Sequence, residues 1–85
     1  MARANQCRVG GGRLASLGLT ERKAEVLFWI AQGKSDHDIG VILGASTRTI
    51  CKHVEHILSK LSVENRTAAA AIALAVLYQI ADLLT

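Results

Sequence analysis

The sequence predicts an all-α domain of four helices, and three observations lead to that prediction. The 85 residues include no proline, so nothing interrupts a helix from within. Hydrophobic residues make up 51% of the chain and aromatic residues only 4%, which is typical of packed aliphatic helices. Apolar residues recur at intervals of three and four, and a Ser, Thr or Asn precedes each such stretch as a candidate N-cap.

The first helix is predicted over residues 20–32. Thr20 is its N-cap, and Gly33 ends it in the left-handed C′ position. Its buried face is expected to comprise Ala24, Val26, Leu27, Ile30 and Ala31.

The second helix is predicted at Asp36–Leu43, where Ser35 and Asp38 have the spacing of a capping box. Its apolar residues at helical spacing are Ile39, Ile42 and Leu43. Gly40 in the middle costs about 1 kcal/mol relative to Ala. That glycine indicates either a close crossing by the third helix or a tolerated weakness.

The third helix is predicted at Thr47–Leu61, after a turn at Gly44 and a cap at Ser46. Its apolar residues form a single amphipathic stripe, made of Ile50, Val54, Ile57, Leu58 and Leu61. Two helices joined by a tight glycine-containing turn form a helix-turn-helix unit, whose second helix typically enters the DNA major groove.

The fourth helix is predicted over residues 66–83 with Asn65 as its cap, and it is apolar on two sides. One stripe contains Ala70, Leu74, Leu77 and Ala81, and the other contains Ala69, Ile72, Ala73, Val76, Ile80 and Leu83. One stripe can face the core, and the other then needs a partner: a second copy, a further domain or a membrane surface. Few Lys or Arg flank the run, which argues against the membrane.

Residues 1–18 are predicted to be a flexible arm or linker that precedes a folded domain over residues 19–85. Gly10, Gly11 and Gly12 stand in a row among scattered arginines, without a sustained period. The segment is either a disordered tail or a basic arm for the minor groove.

Charge and cysteine usage exclude several classes of function. The net charge of +3 favours an anionic partner. Cys7 and Cys51 lack zinc-ligand spacing, so we expect free thiols, no metal and no cofactor. No nucleophile–base pair or phosphate-binding glycine loop is recognisable, so the chain is not expected to be an enzyme. The N-terminus lacks a secretory h-region, which indicates a cytoplasmic protein.

Many ordered features of the chain recur in one known family. They are Leu19-Thr20, Arg22, Glu25-Val26-Leu27, Ala31, Gly33, Ser35, Asp38-Ile39, Leu43-Gly44, Ser46, Arg48-Thr49, His53-Val54, Ile57-Leu58, Lys60-Leu61 and Asn65-Arg66-Thr67. On these features, residues 19–77 resemble the LuxR-type (GerE-like) DNA-binding domain of bacterial transcriptional regulators. The resemblance implies a four-helix domain whose third helix enters the major groove and whose fourth helix is often a dimer contact. It also implies either a sensor or receiver domain in a longer chain or a small free-standing regulator.

The chain departs from the family pattern at five positions. Glu is frequent where Lys23 and Ala68 stand, and Ala is usual at Gly40. Cys51 occupies a frequently basic position of the third helix, and Glu55 a commonly basic or polar one. The preferred DNA sequence of the family therefore does not transfer to this chain.

Candidate DNA-contacting residues lie on the third helix, away from its apolar stripe. Arg48 and Lys52 are the first candidates, one near bases and the other near phosphate. Glu55 either accepts a hydrogen bond from cytosine or repels DNA. The complete predicted set is Thr47, Arg48, Thr49, Cys51, Lys52, Glu55, His56 and Ser59.

Three of the neighbouring residues have alternative roles. Thr49 either meets phosphate or makes only a local hydrogen bond. Cys51 either touches the groove or is a small exposed residue, and we expect Lys52 beside it to lower its thiol pKa. His53 is expected to pack against neighbouring helices or phosphate, and Arg22 and Glu25 to form an intradomain pair.

The sequence therefore predicts a transcriptional regulator that binds double-stranded DNA at an inverted-repeat operator, as a homodimer. The dimer contact is assigned to Ile72, Val76, Ile80 and Leu83, although the sequence does not decide which stripe faces outward. The alternative is a protein-interaction module that uses the apolar fourth helix and has lost DNA binding.

Overall fold

A computed structural model describes residues 14–78, which contain four α-helices and no strand. A short 3-10 helix, Ala15–Leu17, precedes them. The helices are α1 (Glu21–Ala31), α2 (Asp36–Leu43), α3 (Thr47–Leu61) and α4 (Arg66–Leu77). The predicted all-α class is confirmed, and the predicted extension of the fourth helix to residue 83 lies outside the described residues.

All four predicted N-caps are confirmed. In each case a side-chain oxygen accepts a hydrogen bond from the backbone N–H three residues later, which satisfies one donor of the first helical turn. The cap and donor pairs are Thr20 with Lys23 at 3.3 Å, Ser35 with Asp38 at 3.1 Å, Ser46 with Thr49 at 3.1 Å, and Asn65 with Ala68 at 2.8 Å. The helix starts are therefore set by local sequence.

The core forms where α1 packs against α4 and α3, and where α2 packs against α3. Its fully buried large side chains include Val26, Leu27, Ile39, Ile50 and Ile57. The predicted stripes of α1 and α3 are thus on the core side. On α2 the prediction was only partly right, because Ile42 is 44% exposed and its neighbour Val41 is 71% exposed.

The turn between α2 and α3 explains Gly40. A Cβ atom built on this residue would lie 2.5 Å from the carbonyl oxygen of Ala45, too close for any side chain. The approach therefore comes from the backbone of the turn, and not from α3 itself. Gly44 ends α2 in the left-handed region with φ of 73°, and Ala45 N–H donates to the Gly40 carbonyl at 2.8 Å.

The described part of the chain before α1 contributes side chains to the core. Leu14 is completely buried in the core, and Leu17 packs against it, although both fall inside the predicted flexible arm. The core therefore includes two residues that the sequence assigned to the arm, and residues 1–13 lie outside the described part of the chain. The sequence missed this because two apolar residues in a short segment have no helical period.

On α4, packing distinguishes the faces that the sequence left equivalent. Ala69 and Ala73 are fully buried, and Val76 and Leu77 pack against the core. Leu74 is half-buried, and the residues that are exposed on the opposite face are Thr67, Ala71, Ala75 and Tyr78. Of the helices in residues 14–78, none has the length and hydropathy needed to cross a bilayer.

Candidate nucleic-acid interface

Helix α3 presents one buried face and one polar exposed face over four turns. Ile50, Val54 and Ile57 are buried against the other helices. At about 100° per residue, the opposite side of the helix is centred on Lys52 and Ser59. Seven of the eight predicted contact residues are exposed, namely Thr47, Arg48, Thr49, Lys52, Glu55, His56 and Ser59.

The start of this helix is held by hydrogen bonds within its first turn. Ser46 Oγ accepts from the Thr49 backbone N–H at 3.1 Å and donates to Thr49 Oγ1 at 3.0 Å. Of the two roles considered for Thr49, the structure therefore has the local hydrogen bond. The Thr49 side chain stays exposed, so its hydroxyl still lies on the surface that the first turn presents.

The exposed face carries both signs of charge. Arg48 and Lys52 lie one turn apart on it, and Glu55 follows one turn after Lys52. Guanidinium and ammonium groups donate to phosphate or to guanine, whereas a carboxylate accepts from cytosine. The exposed face of α3 therefore offers hydrogen-bond donors at Arg48 and Lys52 and an acceptor at Glu55, and Glu55 reduces its net positive charge.

His53 borders this face on the side of α1. Its Nδ1 atom is buried and has no hydrogen-bond partner among the described residues. Burial, together with the positive charges of Lys23, Arg22 and His56, lowers the pKa of His53. The imidazole therefore stays neutral at neutral pH, and the expectation that it packs against neighbouring helices or phosphate stays a prediction.

Cys51 is the one predicted contact residue that is half-buried, and it faces α2. Its thiol donates to Asp36 Oδ2 at 3.1 Å. This hydrogen bond is the largest cause that raises the pKa of Cys51, with burial and the charges of Asp36 and Glu55 adding to it. The expectation that Lys52 would lower the pKa of Cys51 is therefore wrong, because the nearby carboxylate disfavours the thiolate.

Sequence reasoning missed Asp36 and Arg66 as partners of this region. Arg66 Nη1 lies 2.6 Å from Asp36 Oδ1, and Arg66 Nη2 donates to the Lys34 carbonyl at 3.1 Å. No sequence signal identifies this pair, because the two residues are 30 positions apart. The predicted pair of Arg22 and Glu25 is confirmed, with its N–O distance of 3.5 Å.

The structure describes two of the four predicted dimer residues. Val76 packs against the core, and Ile72 is half-buried. Ile80 and Leu83 lie outside the described residues. Across residues 14–78 no group of three or more His, Cys, Asp or Glu side chains has the arrangement of a metal site.

Comparison with known proteins gives a consistent result. The family described as "Bacterial regulatory proteins, luxR family" matches residues 17–73. The chain is 42% identical over 62 residues to the transcriptional activator protein SolR of Ralstonia nicotianae, covering 73% of this chain and 26% of SolR. No solved structure matches the chain significantly.

Two further relatives come from other bacteria. The transcriptional regulatory protein LiaR of Bacillus subtilis is 43% identical over 61 residues, covering 72% of this chain and 29% of LiaR. The quorum sensing-dependent transcriptional regulator RpaR of Rhodopseudomonas palustris is 48% identical over 56 residues, covering 66% of this chain and 23% of RpaR. The chain thus spans less than a third of the length of these curated relatives.

Proposed function

The chain belongs to the LuxR family of bacterial regulatory proteins and carries its DNA-binding domain, and from this premise we propose that α3 contacts base edges in the major groove. The domain would then act as a sequence-specific transcriptional regulator. The observation that carries this proposal is the exposed polar face of α3, which lies opposite the buried Ile50, Val54 and Ile57. A helix of this kind fits the major groove, which is about 12 Å wide.

Each exposed side chain has a role that its chemistry supports. Lys52, at the centre of the face, is assigned to guanine or to a neighbouring phosphate. Arg48, one turn closer to the start of α3, is assigned to phosphate, where the first-turn hydroxyls of Thr47 and Thr49 can also donate. Glu55 is assigned to cytosine, and His56 and Ser59 are assigned to the sugar-phosphate backbone of the DNA.

The test compares two lysines of the same helix. Lys52→Ala and Lys60→Ala remove the same charge from α3, but Lys60 lies on the side of α3 that packs over Gly18. Binding is measured by fluorescence anisotropy at several salt concentrations, on a duplex selected by the parent chain from a random pool. We expect Lys52→Ala to weaken binding by about 1–3 kcal/mol if it contacts a base, or to reduce the salt slope by about one if it contacts phosphate.

Comparing the two lysine variants distinguishes a specific contact between α3 and DNA from the general attraction of positive charge to DNA. Equal losses for Lys52→Ala and Lys60→Ala would contradict an α3 interface, because only nonspecific attraction would then be changing. If the parent chain selects no sequence at all, DNA recognition by this chain is wrong. Self-association without DNA binding would instead favour the interaction-module alternative.

We also propose that two copies associate through α4, and we place the contact on its outward face. This face is formed by the exposed Ala71, Ala75 and Tyr78 and the half-buried Leu74, at positions i, i+3, i+4 and i+7. That spacing makes a continuous stripe along the helix, and small residues let two helices approach closely. A two-fold dimer would present two α3 helices to an inverted repeat with half-sites about one turn of DNA apart.

The dimer proposal is tested by a charge on each face of α4. Leu74→Glu should give a folded monomer that binds a single half-site without cooperativity. Val76→Glu should instead lower the melting temperature, because it places a charge against the core. Sedimentation and binding to one- and two-half-site duplexes measure both effects, and unchanged cooperativity in Leu74→Glu would refute the assigned face.

A further inference from the structure

Three side chains from three different helices meet at the first residue of α2. Asp36 Oδ2 accepts a hydrogen bond from the Cys51 thiol of α3, and Asp36 Oδ1 accepts one from the Arg66 guanidinium of α4. Arg66 also donates to the carbonyl of Lys34, just before α2. The two oxygens of one carboxylate therefore connect the start of α2 to α3 and to α4.

The bridge is partly shielded from solvent and keeps Asp36 ionised. Exposure of the side chains is 21% for Asp36 and 38% for Arg66. Burial by itself raises the pKa of Asp36, but the hydrogen bonds from Arg66 and Cys51 and the charge of Arg66 outweigh it and leave the pKa lowered. An ionised acceptor forms shorter and stronger hydrogen bonds than a neutral one.

The position of Cys51 on α3 gives this bridge a consequence for DNA contact. Cys51 lies beside Lys52 and one turn from Arg48 and Glu55 on the same helix. Apolar packing through Ile50 and Val54 has no preferred direction, whereas hydrogen bonds are directional. A rotation of α3 by about 10° would move a side-chain atom about 6 Å from the axis by about 1 Å, enough to break a hydrogen bond to a base.

We propose that Asp36 is a positioning residue for DNA recognition, which fixes the rotational setting of α3 by holding Cys51 against α2 while Arg66 holds Asp36 itself. This inference rests on the proposed function, since it requires that α3 contacts DNA. Asp36 acts here through α3 and does not itself touch the bases. Its loss should therefore reduce discrimination between sequences more than it changes general affinity for DNA.

The domain offers a matched control on the same helix turn. Asp36 and Asp38 are both acids of the first turn of α2, so Asp36→Ala and Asp38→Ala remove the same charge and the same dipole interaction. Only Asp36 is bonded to Cys51 and Arg66. Asp36→Asn keeps the shape of the side chain without its charge. If circular dichroism shows that Asp36→Ala is unfolded, Asp36→Asn replaces it in both measurements.

The first measurement is alkylation of Cys51 in the free protein by iodoacetamide. All variants carry Cys7→Ser, so that Cys51 is the reacting thiol. Because the Asp36 carboxylate raises the pKa of Cys51, Asp36→Ala should react several-fold faster at mildly alkaline pH. Asp38→Ala should react at the parent rate, and equal rates in all three proteins would overturn the proposed bridge.

The second measurement is the ratio of affinities for the selected duplex and for a scrambled duplex of equal length. We expect this ratio to fall about tenfold in Asp36→Ala, as for the loss of one base contact, and to be unchanged in Asp38→Ala. Equal ratios in the two variants would overturn the positioning role while the proposed function stands. A parent chain without any sequence preference would instead refute the proposed function.

Discussion

Replacing Leu14 tests where the folded domain begins. The side chain is fully buried in the core, so Leu14→Ala leaves a cavity. Removing three buried carbon groups at about 0.8 kcal/mol each costs about 2.4 kcal/mol. The cavity term raises the expected loss to about 3–4 kcal/mol, within the usual range for Leu to Ala in a core.

That loss is large for a domain of this size. At about 0.05–0.15 kcal/mol per residue, the stability expected for residues 14–78 is about 3–10 kcal/mol in total. Urea titration followed by far-UV circular dichroism should therefore show a much lower midpoint for Leu14→Ala. Val41→Ala is the matched control, because Val41 is 71% exposed and its loss should change stability by less than about 0.5 kcal/mol.

A shortened chain gives an independent measure of the same boundary. A chain that begins at Leu19 lacks both Leu14 and Leu17, and it should be at least as unstable as Leu14→Ala. A chain that begins at Arg13 retains both and should be more stable than the chain that begins at Leu19. If Leu14→Ala and the chain beginning at Leu19 both unfold at the parent midpoint, Leu14 does not belong to the core and the boundary at residue 19 is right.

Two further predictions concern stability. Because the pKa of His53 is lowered in the folded state, the unfolded chain takes up its proton first, near the ordinary value of about 6.5. The contribution of His53 to the free energy of unfolding should thus be complete above that pH and should be lost as the pH falls below it. In His53→Gln the free energy of unfolding should fall less steeply with decreasing pH, in the range above about pH 5. The same pH dependence in the variant and the parent would contradict this. Ser62 ends α3 in the left-handed region with φ of 59°, so Ser62→Gly should raise the free energy of unfolding in urea by about 0.5–1 kcal/mol. A lower midpoint for Ser62→Gly would show that the Ser62 side chain contributes more than its backbone conformation costs.

The sequence alone determined the features whose causes lie within one or two helical turns. Thr20, Ser35, Ser46 and Asn65 cap helices because their side chains reach backbone N–H groups three residues later. The apolar stripe of α3 has the helical period, so its exposed face was also predictable. Family membership followed from the ordered motifs and is supported by the match over residues 17–73.

Tertiary structure decided whatever depends on how the helices pack. Leu14 enters the core from a segment without a period, and α4 packs on the core with members of both predicted stripes, Ala69, Ala73 and Val76 from one and Ala70 and Leu77 from the other. Asp36 meets Cys51 and Arg66 from positions 15 and 30 residues away. Such contacts depend on the distances and angles between helices, which the local periodicity of a sequence does not encode.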